Sequence, residues 1–358
     1  MSGPRIRVLV VDDSALMRKL IPRLLENDPS IEVVGTAMDG AIALRKIEEL
    51  RPDVLTLDLE MPLMDGIATL RAVMRARRLP VIVFSAHSRR GANLTFKALA
   101  LGAFDFVTKP AEATREALSQ AASELAVKIK AAAGSPLPNL PPAELPDAPR
   151  QKAPESDGRP PVPTRVIAVG VSTGGPGALQ RVVPQLPADF PGCVLIVQHM
   201  PEGFTDMFAR RLDECSAIHV REARSGDFLS AGHALICPGN RHMTVKRMVA
   251  GDMIVLRDTE RVNGHRPSAD VLLSSVAQEL GASAAGVIMT GMGEDGVEGL
   301  GKVRDAGGVT IAQSRESCVV DSMPRMAIER RYAQRVVPLD DMHKVWLEIC
   351  AAERVPAA

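Results

Sequence analysis

Two groups of residues have the types and settings to do chemistry. Asp12 and Asp13, Asp58, Ser85 and Lys109 each stand at the end of a short apolar run. Three carboxylates brought to one edge repel one another, and magnesium is the natural neutraliser because it takes oxygen ligands and keeps some water. Lys109 and Ser85 could then hold a phosphoryl group transferred onto Asp58. Farther along, Ser172, His199 and Asp295 also follow apolar runs. A hydroxyl, an imidazole and a carboxylate are the parts of nucleophilic acyl transfer: the hydroxyl attacks a carbonyl and the imidazole passes its proton to the leaving group.

The second group depends on its local settings. Ser172 lies in Gly170-Val-Ser172-Thr-Gly174-Gly175-Pro-Gly177, between a strand and a helix expected from about Ala178. Glycines there allow a tight turn that lifts a hydroxyl off the strand and aims backbone N–H groups at an oxyanion. His199 ends the apolar run Cys193-Val-Leu-Ile-Val-Gln198, a frame that His219, His233, His242 and His265 lack. After Ala285-Gly-Val-Ile-Met-Thr290, either Asp295 or Glu294 could orient the imidazole. The chain order is serine, histidine, acid, whereas α/β-hydrolases run serine, acid, histidine, so the triad would be a convergent one. Gly291-x-Gly293-x-x-Gly296 is also a literal dinucleotide fingerprint, but Glu294 and Asp295 would set two negative charges against a pyrophosphate.

The elements that must position these groups are legible as alternation. Ile6 to Val11, Ile31 to Gly35, Val54 to Leu57, Val81 to Phe84 and Phe104 to Val107 read as buried strands, with helical periods between them such as Leu16, Met17, Leu20, Ile21, Leu24 and Leu25. That grammar predicts a doubly wound α/β domain with a parallel sheet, whose sites lie at the carboxyl ends of the strands. It returns in Val166 to Val171, Cys193 to Val197, Ala234 to Cys237, Gly286 to Met289 and Val309 to Ala312, giving a second α/β domain, Rossmann-like and mainly parallel. Between them, ten of the 27 prolines fall from Pro136 to Pro163, the mark of a semi-stiff linker. The expected bounds are 1–132, a linker at 133–164, a second domain at 165–350 and a tail at 351–358. The only tryptophan, Trp346, reads as a packing anchor in the last helix.

Composition narrows the classes. The chain has 358 residues, 46% hydrophobic and 24% charged, which suits folded soluble domains and excludes general disorder. The 43 basic and 43 acidic residues cancel, so no whole-chain field draws in nucleic acid or an anionic membrane. Five single cysteines with no C-x-x-C pair suit reduced thiols in a cytoplasm, and no apolar run is long enough to span a membrane. Low aromatic content, 3%, and a lack of heptads offer no obvious large interface, so a monomer is expected. Two other classes compete: a DNA-binding output, weakened by the lack of a recognition helix, and a docking module without catalysis, weakened by the complete set Ser172, His199 and Asp295.

Residues 5 to about 130 resemble a two-component receiver domain, through Asp12-Asp13, Asp58-Leu-Glu-Met-Pro62-Leu-Met-Asp65-Gly66, Ser85 and Phe106-Val-Thr-Lys109-Pro110. The resemblance implies that a histidine kinase phosphorylates Asp58. It also implies magnesium on Asp12, Asp13, Asp58 and the carbonyl of Glu60, with Lys109 and Ser85 on the phosphoryl oxygens. Phe106 would be an aromatic that changes rotamer with the state.

Residues 165 to 350 resemble the catalytic domain of the chemotaxis protein-glutamate methylesterases. The likeness rests on Gly170-Val-Ser-Thr-Gly-Gly-Pro176, Gln198-His-Met-Pro201, Pro238-Gly-Asn-Arg-His242, His265-Arg-Pro-Ser-Ala-Asp270, Met289-Thr-Gly-Met-Gly-Glu-Asp-Gly296 and Ser322-Met-Pro-Arg325. It implies Ser172 as nucleophile, His199 as base and Asp295 as its orienting acid, with the N–H groups of Met292 and Thr173 on the oxyanion and no cofactor. The substrate would be glutamate γ-methyl ester on chemoreceptors, with methanol leaving, and receptor glutamines would be deamidated. Where the family pattern carries glycine before Met323, this chain has Ser322. A receiver beside such a triad predicts restraint: the isolated segment 165–350 is expected to outpace the unphosphorylated full chain.

Overall fold

The computed structural model describes residues 4–77, 79–86, 88–110, 114–134, 152 and 161–351. They fall into two compact units, Met1–Ala143 and Glu144–Ala358. The first alternates β1 (Ile6–Val11), α1 (Ala15–Leu25), β2 (Ile31–Ala37), α2 (Gly40–Leu50), β3 (Val54–Leu57), α3 (Gly66–Ala76), β4 (Val81–Ser85), α4 (Arg89–Ala100), β5 (Asp105–Thr108) and α5 (Arg115–Gly134). Its sheet runs β2-β1-β3-β4-β5 with every pair parallel. Strands β3 and β4 are buried at every position, as continuous apolar strands covered on both faces must be. Four helices start where a short polar side chain accepts a free N–H: Ser14 from Met17, Asp39 from Ile42, Asp65 from Ala68 and Ser88 from Gly91.

The second unit follows as β6 (Val166–Val171), α6 (Gly175–Val182), β7 (Cys193–Gln198), α7 (Phe204–Cys215), β8 (His219–Glu222), β9 (His233–Ile236), β10 (His242–Lys246), β11 (Met253–Arg257), α8 (Ala269–Leu280), β12 (Ala284–Ile288), α9 (Val297–Asp305), β13 (Val309–Gln313), α10 (Ser322–Glu329), β14 (Arg335–Val337) and α11 (Met342–Ala351). The main sheet runs β14-β13-β12-β6-β7-β9-β8, parallel throughout, beside an antiparallel pair β10-β11. The chain leaves β6 toward β7 on one side and later returns to β12 on the other, so β6 is the topological switch. The carboxyl ends of β12, β6 and β7 therefore lie side by side.

Both units are α/β as expected, and four strands beyond those predicted are present. Strands β8 and β14 are short edges with exposed positions and β10 alternates polar His242, Thr244 and Lys246 with apolar residues, so these three show no unbroken apolar run, whereas β11 has one in Met253 to Leu256 that the sequence reading passes over. Helix α6 starts at Gly175 rather than near Ala178, because Gly174 at φ +76° turns the chain directly into it. Of the expected linker, 135–151 and 153–160 lie outside the described residues, as do 352–358 of the tail. Helix α5 continues to Gly134, while Pro161 and Thr164 already bond within the second unit: the Ala231 N–H donates to Pro161 O at 2.9 Å, and the Thr164 N–H to Pro191 O at 2.9 Å. Trp346 is fully buried.

Candidate active site and phosphoacceptor pocket

In the first unit β1 pairs directly with β3, Val11 opposite Leu57, and this register sets Asp12 and Asp13 beside Asp58. One carboxylate oxygen from each of the three lies within 4.8 Å of the others. Asp12 and Asp58 are buried and Asp13 is exposed. Lys109, just past β5, places Nζ 2.6 Å from Asp58 Oδ2 and 2.8 Å from Asp12 Oδ2. Burial lifts the Asp12 carboxyl above the usual carboxylate range, and Lys109 offsets this only in part. Burial also disfavours the Lys109 ammonium, but its hydrogen bonds to both carboxylates hold it protonated above the ordinary lysine range. Ser85 closes β4 and is buried, and Phe106 is buried in β5 with its ring edge-on to Phe96 at 6.4 Å. The Glu60 N–H donates to Asp58 Oδ1 at 3.2 Å, and its carboxylate pairs outward with Arg90. Clustered hard oxygens of this kind fit a divalent cation.

In the second unit Ser172 follows β6, His199 follows β7 and Asp295 lies in the loop after β12. Backbone bonds splice the three ends together: the Ser172 N–H donates to Thr290 O at 3.0 Å and the His199 N–H to Val171 O at 3.2 Å. His199 Nδ1 lies 3.1 Å from Ser172 Oγ, and His199 Nε2 lies 2.8 Å from Asp295 Oδ2. Asp295 is buried, and its Oδ2 also accepts the Ala269 N–H at 2.7 Å, at the start of α8. Its Oδ1 accepts the Ser268 hydroxyl at 2.6 Å, the Asn263 amide at 3.2 Å and the Asp270 N–H at 3.3 Å. Burial disfavours the Asp295 charge, but His199 and these donors outweigh it and hold the carboxyl well below the usual range. An ionised Asp295 can only accept, so neutral His199 carries its proton on Nε2 and turns a lone pair on Nδ1 toward Ser172. That constellation can deprotonate a serine as it attacks an acyl carbon.

The turns around the hydroxyl are tight. A Cβ on Gly291 would lie 2.8 Å from Ser172 Cβ and 2.2 Å from Met323 Sδ, so only glycine brings the 291–293 loop against the nucleophile. Among the described residues, no group accepts the backbone N–H of Thr173 or of Met292. Glu294 is elsewhere, paired with Arg330 at 2.6 Å, so Asp295 alone of the two acids meets the imidazole. The acid that meets His199 comes from inside the Gly291-x-Gly293-x-x-Gly296 run.

Sequence reasoning missed the groups behind the triad. The His265 ring stacks on His199, centroids 3.9 Å apart and planes 6° from parallel. Burial and the neighbouring His199 push its pKa down to about 4, so it stands neutral against the imidazole. Ser268 is supported in turn by His242, whose Nδ1 accepts the Ser268 N–H at 3.2 Å while Nε2 donates to Glu260 O at 3.0 Å. The Gln198 amide donates to Ser172 O at 3.0 Å and His199 O at 3.2 Å. His265 and Ser268 share the run His265-Arg-Pro-Ser-Ala-Asp270, but they precede a helix instead of ending a strand, and no rule of strand ends reaches them.

Residues 167–345 match the CheB methylesterase family, and residues 8–122 match the response regulator receiver domain. The chain belongs to the CheB methylesterase family. It is 57% identical to the protein-glutamate methylesterase/protein-glutamine glutaminase 2 of Koribacter versatilis, covering 98% of each chain. It is 49% identical to a protein-glutamate methylesterase/protein-glutamine glutaminase of Symbiobacterium thermophilum, covering 93% of this chain and 94% of that one. The crystal structure of the Thermotoga maritima CheB methylesterase catalytic domain is similar at 38% identity, with a TM-score of 0.51 over 52% of this chain and all of that one. This CheB-family chain therefore joins a receiver to a hydrolase domain, both α/β.

Proposed function

We propose that this chain is a phosphorylation-regulated protein-glutamate methylesterase, with residues 1–132 as receiver, 133–164 as linker and 165–350 as the catalytic domain. The observation that carries the reading is His199 set between Ser172 Oγ at 3.1 Å and Asp295 Oδ2 at 2.8 Å. In this reading Ser172 Oγ attacks the γ-ester carbonyl of a methylated receptor glutamate while its proton moves to His199 Nδ1. The N–H groups of Met292 and Thr173 hold the resulting oxyanion, and Asp295 stabilises the imidazolium. The C–OCH3 bond breaks, Nδ1 returns its proton to the leaving oxygen, and methanol departs. Water activated by the same Nδ1 then hydrolyses the acyl-serine to glutamate. With a glutamine the leaving group is ammonia, which gives deamidation.

Asp58 is the phosphoacceptor in this reading, with a sensor histidine kinase as donor and the methyl-accepting receptors as substrate. Asp12, Asp13 and Asp58, with the Glu60 carbonyl, would hold magnesium. When bound, the ion supplies charge neutralisation for phosphoryl transfer. Lys109 and Ser85 contact the phosphoryl oxygens, and Phe106 responds by rotamer. The esterase step needs no cofactor and no second copy of the chain. All five cysteines are free and buried, in keeping with a cytoplasmic protein, and no described helix is long and apolar enough to cross a membrane. The test is methanol release from methyl-labelled receptor membranes, with and without a small phosphodonor and magnesium. Release that rises with the phosphodonor and disappears in Ser172→Ala is expected; no release under any condition would overturn the reading.

A further inference from the structure

The loop that carries the Met292 N–H is held by α10, and one side chain does most of the holding. Ser322 Oγ accepts the Gly293 N–H at 2.8 Å, and its proton has Gly291 O at 3.1 Å and Gly293 O at 3.2 Å within reach. The Met323 N–H donates to the same Gly291 carbonyl at 3.1 Å, and the Gly291 N–H donates to Val320 O at 2.9 Å. Gly293 sits at φ +90° and, like Gly291, has no side chain to restrain the loop. Left alone, two glycines around Met292 would let either peptide rotate.

A trans peptide is planar, with its C=O and N–H pointing in opposite directions. Fixing the Gly291 carbonyl toward α10 therefore fixes the Met292 N–H away from α10. A Cβ on Gly291 would lie 2.8 Å from Ser172 Cβ, so this peptide passes close to the nucleophile, and in the methylesterase reading its N–H is the one that meets the oxyanion. Capturing the Gly293 N–H fixes the peptide on the other side of Met292 as well. A single hydroxyl thus grips the chain on both sides of Met292.

We propose that Ser322 is a positioning residue for the oxyanion site, locking the Gly291–Met292 peptide with its N–H turned toward Ser172. Glycine at this position would leave only the Met323 N–H on the Gly291 carbonyl. The proposal rests on the methylesterase reading and concerns charge that exists only once the carbonyl has been attacked. Its effect belongs to turnover and not to ester binding.

The test compares full-length wild type, Ser322→Ala, Ser322→Gly and Ser322→Thr, all activated with a phosphodonor, in methanol release from receptor membranes over a range of membrane concentration. Losing a preorganised oxyanion donor outright costs about 100-fold or more, and loosening one costs less. Ser322→Ala and Ser322→Gly are expected to lose about three- to ten-fold in kcat with KM unchanged. Ser322→Thr, which keeps the hydroxyl, is expected to stay within about two-fold of wild type. An alkyl boronic acid, which becomes a tetrahedral anion on an attacked serine, is expected to bind the alanine variant more weakly by the factor lost in kcat. Equal kcat in wild type and Ser322→Ala overturns the proposal alone. So does a change confined to KM, or a loss in the alanine variant with unchanged boronate affinity. Absence of Ser172-dependent release in wild type overturns the methylesterase reading itself, and this one with it.

Discussion

Nδ1 of His199, and not Nε2, faces the hydroxyl of Ser172, because Nε2 is committed to Asp295 on the opposite side of the ring. The acid thus selects the tautomer that leaves a lone pair on the serine side, and the donors around Asp295 select its ionised form. The orientation of the base is thus fixed through Asp295 from the N-terminus of α8.

Asp295→Asn tests that selection. Oδ1 faces three donors, so an asparagine would place its oxygen there and turn its NH2 toward Nε2. The imidazole proton would then move to Nδ1, against Ser172. Methanol release should fall by about 1,000-fold or more, with the fold retained by circular dichroism.

Ser268→Ala removes a hydrogen bond of 2.6 Å to a buried carboxylate. Bonds to charged groups are worth about 1.5–3 kcal/mol. A loss of that order should appear in urea unfolding of the second unit, together with about ten-fold lower kcat as Asp295 loses one of the donors that hold it in place.

His265 gives a pH signature. Its pKa is about 4 in the fold against 6.5 for a free histidine side chain, with His199, Asp295 and Arg261 the charged or titratable groups acting on it. Above about 6.5 both folded and unfolded chains hold this ring neutral, and stability is unaffected. As pH falls toward 4 the unfolded chain takes up a proton that the folded one refuses, so stability drops, and below 4 the loss is complete. His265→Phe keeps a ring over His199 and removes this contribution. Between about pH 7 and about pH 4.5 wild type should lose more stability than the variant, by on the order of 1 kcal/mol given the partial exposure. Thermal unfolding across that range measures it.

Asp58→Asn should leave unstimulated methanol release unchanged and abolish the response to a phosphodonor. Chelating divalent cations should do the same to wild type, with no effect on unstimulated release. Lys109→Ala removes the ammonium shared by Asp12 and Asp58, and uncompensated buried carboxylates should destabilise the first unit by about 3 kcal/mol or more, read by its denaturation midpoint.

Much of the frame is legible because buried parallel strands must be apolar throughout, so Val8 to Val11 or Val194 to Val197 announce themselves, and the polar residue after each marks the edge where sites gather. Ser172, His199 and Asp295 can be named for that reason. Ser268, His242 and Asn263 cannot, since hydrogen bonds to Asp295 depend on how the chain before α8 folds back, which no period encodes. His265 lacks a strand end, and its stacking comes from a loop whose path is set by long-range contacts. Ser322 stands out in the sequence only as a departure in type, with no signal that its hydroxyl meets residues 291 and 293.

The placing of β6 between β12 and β7 has a consequence for how this protein fails. Amides in the middle of a seven-stranded sheet are among the last to exchange with solvent, because releasing them requires the whole unit to open. The frame of the triad is anchored there by the bonds from the N–H groups of Ser172 and His199. Heat should therefore extinguish esterase turnover and melt the second unit in one step, without the early, partial inactivation of enzymes whose reactive groups ride on loose surface loops.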